Sequence, residues 1–503
     1  MKKWALLGLS LSVALLAACS NQVGSEEPTI VTTFYPVYEF TKEIAGDEAN
    51  VELLIEAGTE VHGYEPSAKA IATIEDADAF VYANENMETW VHELEENLEK
   101  SKSDVKVISA TEGMLLLPGS DDHDHDHAHG EDGHTHEYDP HVWVSPYRAV
   151  KMVEAIRDQL IEAYPEDKDA FTKNAEAYLK ELEALDQEYT DTLSQAKQKS
   201  FVTQHAAFNY LALDYGLTQV SVSGLTPEAE PSATRLAELS EYIKENGIKY
   251  IYFEETASSA VAETLAKETG VETAVLNPLE SLTAEAMKAG ETYISTAEAN
   301  LEALKLTTET EGPEIQPEEA VDTKTVYNGY FEDSDVADRE LSDYAGDWQS
   351  VYPYLLDGTF DQVWDYKAKK SNGTMTAAEY KDYYDIGYKT DVEQIKIDGD
   401  TMEFFVDGKG HKNTYKYVGY EILTYKKGNR GVRFLFEATN EDAGDYKYVQ
   451  FSDHNIAPVK TGHFHIYFGS DSQEKLLEEM DNWPTYYPTG MDSFEIAQEM
   501  LAH

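Results

Sequence analysis

Between Asp121 and His141 the chain reads DDHDHDHAHGEDGHTHEYDPH, and seven of its fifteen histidines stand in that stretch. A packed core has no use for alternating imidazoles and carboxylates. Together they offer nitrogen and oxygen donors to a borderline divalent ion, zinc or nickel best of all, and so dense a tract reads by composition as metal capture. His123, His125, His127, His129, His134 and His136, in the loop 120–137, are therefore candidates for auxiliary metal capture. A second set is dispersed. His62 follows the apolar run 51–55 within HGYEPS, His141 sits in DPHVWVSP, His205 lies just after 201–203 in TQHAAFNYL, and Glu280 just after 273–276 in NPLE. Three imidazoles and a carboxylate meet the four-coordinate demand of zinc. A third set lies in SDHNIAPVKTGHFHIYFG, where His463 and His465, two apart on a predicted strand, share a face and His454 can fold back towards them. Three imidazoles with an open fourth position describe either a catalytic zinc or one that is loaded and released. His92 and His411 fit no such pattern and read as ordinary surface residues.

The elements that must position these groups fall into two units. From Ile30, short apolar runs at 30–35, 51–55, 79–83 and 105–108, then 201–203, 219–222, 249–253 and 273–276, alternate with amphipathic stretches. That alternation predicts βαβ units and parallel sheets, and ligands in such sheets collect beyond the carboxyl ends of strands. Between the two sets Phe171, Ala175, Tyr178, Leu182, Leu185, Tyr189 and Leu193 form one helical stripe, preceded by a helix at about 147–163 and by Pro165 near its start. The reading is a two-lobed α/β unit on one long linking helix, His62 and His141 coming from the first lobe and His205 and Glu280 from the second. Residues 307–321 are acidic, carry two prolines and lack a period, which marks a linker. Beyond it, 322–503 holds nineteen of the 34 tyrosines and short alternating runs at 392–397, 401–406, 414–418, 420–425, 431–437, 447–451 and 463–468. Turn signals at Asp398-Gly399 and Lys427-Gly428-Asn429 separate some of them. This predicts an antiparallel β-barrel with one helix near 376–386.

Residues 1–19 carry Lys2 and Lys3, an apolar run from Trp4 to Ala18, and Cys19. The run is too short for a stable span, and Leu16-Ala17-Ala18-Cys19 looks like a bacterial lipobox. Cys19 is the single cysteine, which excludes an intramolecular disulfide and a thiolate metal site. Acylated, it would anchor the mature unit 20–306 and all that follows to a membrane surface. The formal net charge of −57 disfavours nucleic acid and anionic lipid as partners.

Residues 30–305 resemble the ZnuA-like zinc- and manganese-binding subunits of ATP-driven importers, on the strength of HGYEPS, DPHVWVSP and QHAAFNYLA. The resemblance implies two lobes on a rigid helical backbone, delivery of the ion to an ABC permease, and His62, His141, His205 and Glu280 as ligands. Gly63 and Ala70 stand where relatives often carry Asp, but neither is a ligand position. Manganese members tend to carry Glu and Asp in place of His205 and Glu280. A third imidazole favours zinc over manganese, while nickel and copper stay open. Residues 322–503 resemble ZinT-like zinc-binding proteins through DWQSVYPYL, DGTFDQVW and the histidine run. This resemblance implies a calycin-type barrel with His454, His463 and His465 as ligands. Both units behind a lipobox look like the AdcA-type zinc-uptake lipoproteins, which implies a monomer with two high-affinity Zn2+ sites on the extracellular face of a Gram-positive plasma membrane.

Three other functions compete. A zinc hydrolase could use three imidazoles and an open position, although no HExxH helix and no nucleophile motif is present. A lipocalin-like binder of apolar molecules would use the barrel lumen. An adhesin or passive zinc buffer would need no permease. If zinc is taken up, neutral imidazoles are required, so binding is expected to weaken as pH falls through roughly 6–6.5.

Overall fold

The computed structural model describes residues 27–119, 138–225, 233–254, 260–311, 325–371, 373–425, 428–478 and 481–502. Cys19, the leader and the histidines from His123 to His136 lie outside the described residues. In the first lobe β1 (Thr29–Thr32), α1 (Tyr35–Ala45), β2 (Asn50–Leu53), α2 (Ala68–Glu75), β3 (Ala79–Tyr82), α3 (Val91–Ser101) and β4 (Lys106–Ser109) follow in turn. The strands form a parallel sheet in the order β2-β1-β3-β4. The predicted strand 30–35 is shorter than expected, because Pro36 sits in the first turn of α1 and starts a helix there.

α4 (Pro146–Ala163) leads through a single 3-10 turn at Pro165 into α5 (Lys168–Leu193). At 1.5 Å per residue α5 runs about 39 Å, enough to back both lobes, and all seven residues of the predicted stripe are buried along it. The second lobe comprises β5 (Ser200–Thr203), α6 (Asn209–Asp214), β6 (Thr218–Ser221), α7 (Ala233–Glu245), β7 (Tyr250–Phe253), α8 (Ala260–Thr269), β8 (Glu272–Val275), α9 (Ala284–Ala289) and α10 (Tyr293–Thr308). Its parallel sheet has the order β6-β5-β7-β8. α10 extends two residues into the segment read as linker, and Thr307 and Thr308 are buried.

The third unit is a closed eight-stranded antiparallel barrel. Its strands are β9 (Gly346–Ser350), β10 (Gln394–Asp398), β11 (Thr401–Val406), β12 (Lys409–Thr424), β13 (Arg430–Ala438), β14 (Tyr448–Ser452), β15 (Phe464–Gly469) and β16 (Thr485–Pro488), with β16 pairing β9 to close the ring. The two runs predicted at 414–418 and 420–425 are one strand, β12, bent by a bulge at Tyr417/Gly419 where Gly419 takes φ 129°. The expectation of a single helix is corrected. Among the described residues five accompany the barrel: α11 (Tyr352–Leu356), α12 (Asp361–Lys370), α13 (Ala377–Tyr388), α14 (Gln473–Leu477) and α15 (Ser493–Ala502). The lumen is a packed core. Trp348, Phe404, Phe434, Phe436, Phe451 and Phe464 fill it, Tyr344 stacks on Phe451 at 4.2 Å, and the Arg339 guanidinium lies 4.4 Å over Tyr344. These side chains occupy the lumen that a lipocalin-like binder of apolar molecules would use.

The barrel docks on the first lobe through one continuous apolar core that includes Leu115, Leu116 and Leu117 together with Val363, Trp364, Ile496 and Met500. Two glutamine amides staple the seam by pairing with main-chain groups, as a strand would. Gln362 Nε2 donates to Gly113 O at 2.7 Å and its Oε1 accepts from Leu115 N at 3.1 Å. Gln498 Nε2 donates to Leu116 O at 2.7 Å and its Oε1 accepts from Leu116 N at 2.8 Å. No described helix is long and apolar enough to cross a membrane.

Candidate metal centres

Four chain segments end at one point between the lobes. His62 lies on the connection after β2, whose Gly58 N–H donates to Ser281 Oγ at 2.7 Å and so ties it to the Glu280 loop. His141 opens a single 3-10 turn, Val142–Val144. Two bonds hold that turn to the second lobe: Trp143 Nε1 donates to Pro278 O at 2.9 Å, and Tyr293 OH donates to Trp143 O at 2.6 Å. His205 follows β5, its carbonyl accepting from Thr203 Oγ1 and Gln219 Nε2, both at 2.8 Å. Glu280 follows β8 on a loop where Leu279 takes φ 63°, a conformation rare outside glycine and held here by its surroundings. Leu279 N–H donates to Asn277 Oδ1 at 2.7 Å, and Asn300 brackets Asn277 through its N–H at 2.8 Å and its carbonyl at 2.6 Å.

The donor atoms converge. Glu280 Oε1 lies 3.4 Å from His62 Nε2, 3.3 Å from His141 Nε2 and 3.4 Å from His205 Nε2, and the first two imidazole nitrogens are 3.2 Å apart. Tetrahedral Zn–N bonds of 2.0–2.1 Å require donor atoms about 3.3 Å apart along each edge; four of the six edges fit that polyhedron, and all four atoms lie within 4.8 Å of one another. His141 and His205 are fully buried and Glu280 is 5% exposed. His205 Nε2 has no hydrogen-bond partner, as suits a lone pair aimed at an ion.

Behind two of the imidazoles stand carboxylates that sequence reasoning missed. His141 Nδ1 donates to Asp139 Oδ1 at 2.7 Å, and His205 Nδ1 donates to Glu254 Oε1. Each fixes the tautomer that leaves Nε2 free for metal. Among the described residues His62 has no such partner. Asp139 stood within the DPH motif, and Glu254 is the residue after β7, so the strand-end rule that found His205 and Glu280 also reaches it. These carboxylates set the protonation of the empty site. Burial alone would depress both imidazoles, but Asp139 and Glu280 hold His141 above its ordinary range, and Glu254 with Glu280 pushes His205 up to about 10. Burial would raise Glu280, yet the three imidazoles keep it well below the usual carboxylate range. The expected pH threshold near 6–6.5 therefore moves upward for this site.

A second cluster sits on the barrel rim, where donor atoms of His454, His463 and His465 lie within 4.8 Å of one another. His463 immediately precedes β15 and His465 is on it. Thr485 Oγ1 donates to Trp483 O at 3.0 Å and so accepts from His465 Nδ1 at 2.7 Å, again leaving Nε2 for a ligand role. Tyr487 stacks on His463 at 5.0 Å and Tyr327 on His454 at 4.5 Å. His454 takes φ 65° beside Asp453, which is clamped by the buried Arg339 through both carboxylate oxygens at 2.7 Å. This cluster is exposed or half-buried, unlike the closed one. His92 and His411 stand apart from both clusters; the His92 side chain is 69% exposed, and His411 lies on an exposed part of β12.

Two family models match the chain, one over each part. Residues 30–306 match the family described as ZnuA, zinc-uptake complex component A, periplasmic. Residues 322–503 match ZinT (YodA), periplasmic lipocalin-like zinc-recruitment. The zinc-binding lipoprotein AdcA of Streptococcus pneumoniae is 68% identical over the whole of both chains. The zinc-binding protein AdcA of Streptococcus pyogenes is 58% identical, again over the whole of both. The crystal structure of Zn(II)-bound AdcA from S. pneumoniae superposes with a TM-score of 0.87, covering 95% of this chain and all of that one. With both halves matched along their full length and in the same order, the chain belongs to the AdcA family, a ZnuA-type zinc-uptake component joined to a ZinT-type barrel.

Proposed function

We propose that the chain captures Zn2+ outside the cell and presents it to an ABC permease, using His62, His141, His205 and Glu280 in the cleft as the delivery site. The family is one of binding components of importers, not of enzymes. The observation that carries the reading is the convergence of four donor atoms on one buried point, with Glu280 Oε1 3.3–3.4 Å from each of the three imidazole nitrogens. His454, His463 and His465 form a second site that is open to solvent. His123, His125, His127, His129, His134 and His136 serve as auxiliary collectors. Acylated Cys19 anchors the mature monomer to the outer face of the plasma membrane.

Calorimetric titration of the full chain with Zn2+ tests the two-site reading. Two tight equivalents are expected. His205→Ala should remove the cleft equivalent and keep the barrel one, and His465→Ala the reverse. A single equivalent that survives both substitutions sinks it.

A further inference from the structure

Lys369 of the barrel unit reaches across the seam into the polar cage behind His141. Its ammonium lies 3.0 Å from Asp214 Oδ1 and 3.7 Å from the centre of the Tyr147 ring on α4. Asp365, one turn earlier on α12, faces the same ammonium at 3.0 Å. Asp214 ends α6 with its side chain only 1% exposed. Its second oxygen accepts from Ser145 Oγ at 2.7 Å and Arg148 Nε at 2.8 Å, the residues that start α4 directly after the His141 turn. At the opposite end of α6, Asn209 Nδ2 donates to Asp139 Oδ2 at 2.8 Å, and Asp139 orients His141. α6 is thus a short strut with the His141 orienter at one end and a barrel lysine at the other.

We propose that Lys369 is a positioning residue for the cleft metal site, so that docking of the barrel holds α6 and the start of α4 in the arrangement that aims His141. This rests on the reading of His62, His141, His205 and Glu280 as the zinc site. Without the lysine, Asp214 Oδ1 keeps, among the described residues, only Arg148 Nη2 at 3.2 Å, which leaves half of a buried carboxylate poorly compensated. Groups that orient a metal-bound imidazole tune affinity by about 10–100-fold. Lys369 acts further out, through Asp214 and the α6 strut, so a smaller effect, about threefold to tenfold, is expected.

The test uses the full chain with His454, His463 and His465 replaced by Ala, loaded with one equivalent of Zn2+ and mixed with a fluorescent chelator. Lys369→Met should speed zinc release at least about threefold and shift the visible spectrum of the Co2+-loaded cleft, while the metal-free chain still folds, its unfolding midpoint lowered by the poorly compensated Asp214 carboxylate. Lys369→Arg should restore both. Gln362→Ala, which weakens the seam without touching Asp214, should release zinc at the parent rate. Lys369→Gln replaces the methionine variant if that one does not fold. Parent-like release in both charge-removing variants overturns the proposal. So does equal acceleration by Gln362→Ala, which would assign the effect to docking in general. A parent chain that holds no zinc at all overturns the site reading first, and the role of Lys369 with it.

Discussion

Replacing Glu254 by Gln should make zinc binding in the cleft less steeply dependent on pH. Glu254 accepts the Nδ1 proton of His205, and both side chains are buried. Burial opposes a charged imidazole, but Glu254 and Glu280 carry His205 to about 10 from an ordinary 6.5. Zinc needs the Nε2 lone pair, so a proton must leave the empty site first. At neutral pH that competition weakens apparent zinc affinity by on the order of a hundredfold or more. The sign follows directly. Falling pH favours the proton-bound empty form, so apparent affinity should rise about tenfold per unit between roughly pH 7 and 9. Glutamine keeps an acceptor oxygen and removes the charge, so the imidazole moves back towards its ordinary range and the slope in that window shrinks. The carboxylate also strengthens His205 as a ligand. Glu254→Gln should therefore bind about 10–100-fold more weakly near pH 9, with the gap narrowing towards pH 7. Competition against a chelator of known pH dependence, on the chain lacking the barrel histidines, reads the slope. Calorimetry in two buffers of different ionisation enthalpy reads the proton released. A native affinity that is flat above pH 7.5, or equal slopes in the two proteins, refutes the reasoning.

The barrel invites three further measurements. Thr485→Val removes the acceptor that fixes the His465 tautomer and should weaken the barrel zinc by about 10–100-fold, leaving the cleft titration untouched. Arg339→Met strands the buried Asp453 carboxylate and should destabilise the barrel by about 3–5 kcal/mol in urea denaturation, with loss of one zinc equivalent. Gly387→Ala places a methyl 2.4–2.8 Å from ring carbons of Trp483, too close to stand; a loss of about 1–3 kcal/mol is expected, and an unchanged midpoint would show that the indole shifts without penalty.

Strongly periodic segments were legible from residues alone. The stripe from Phe171 to Leu193 is the buried face of α5, and all eight predicted α/β strands exist within a few residues of their expected positions. Short closing elements were not. β9 (GDWQS) and β16 (TYYP) are four or five residues long and owe their strand state to their neighbours in the ring. α12 hides three buried residues, Val363, Trp364 and Tyr366, in front of a run of lysines. The clustered donors could be read because histidines are rare and sit at strand ends. The carboxylates behind them were obscured by 96 acidic residues, most of them ordinary surface groups. Docking of the barrel had no sequence signal, since Gln362 and Gln498 recognise main-chain atoms, which every residue carries.

The contrast in burial between the two clusters sets a kinetic hierarchy. On the rim, water and competing ligands would reach an ion held by His454, His463 and His465 directly, so exchange there would proceed by stepwise ligand substitution. Around Glu280 the same substitution would be hindered by the burial of His141, His205 and the carboxylate itself. With zinc at both clusters, one polypeptide would carry a labile and an inert pool of the same cation, distinguished by solvent access more than by donor chemistry.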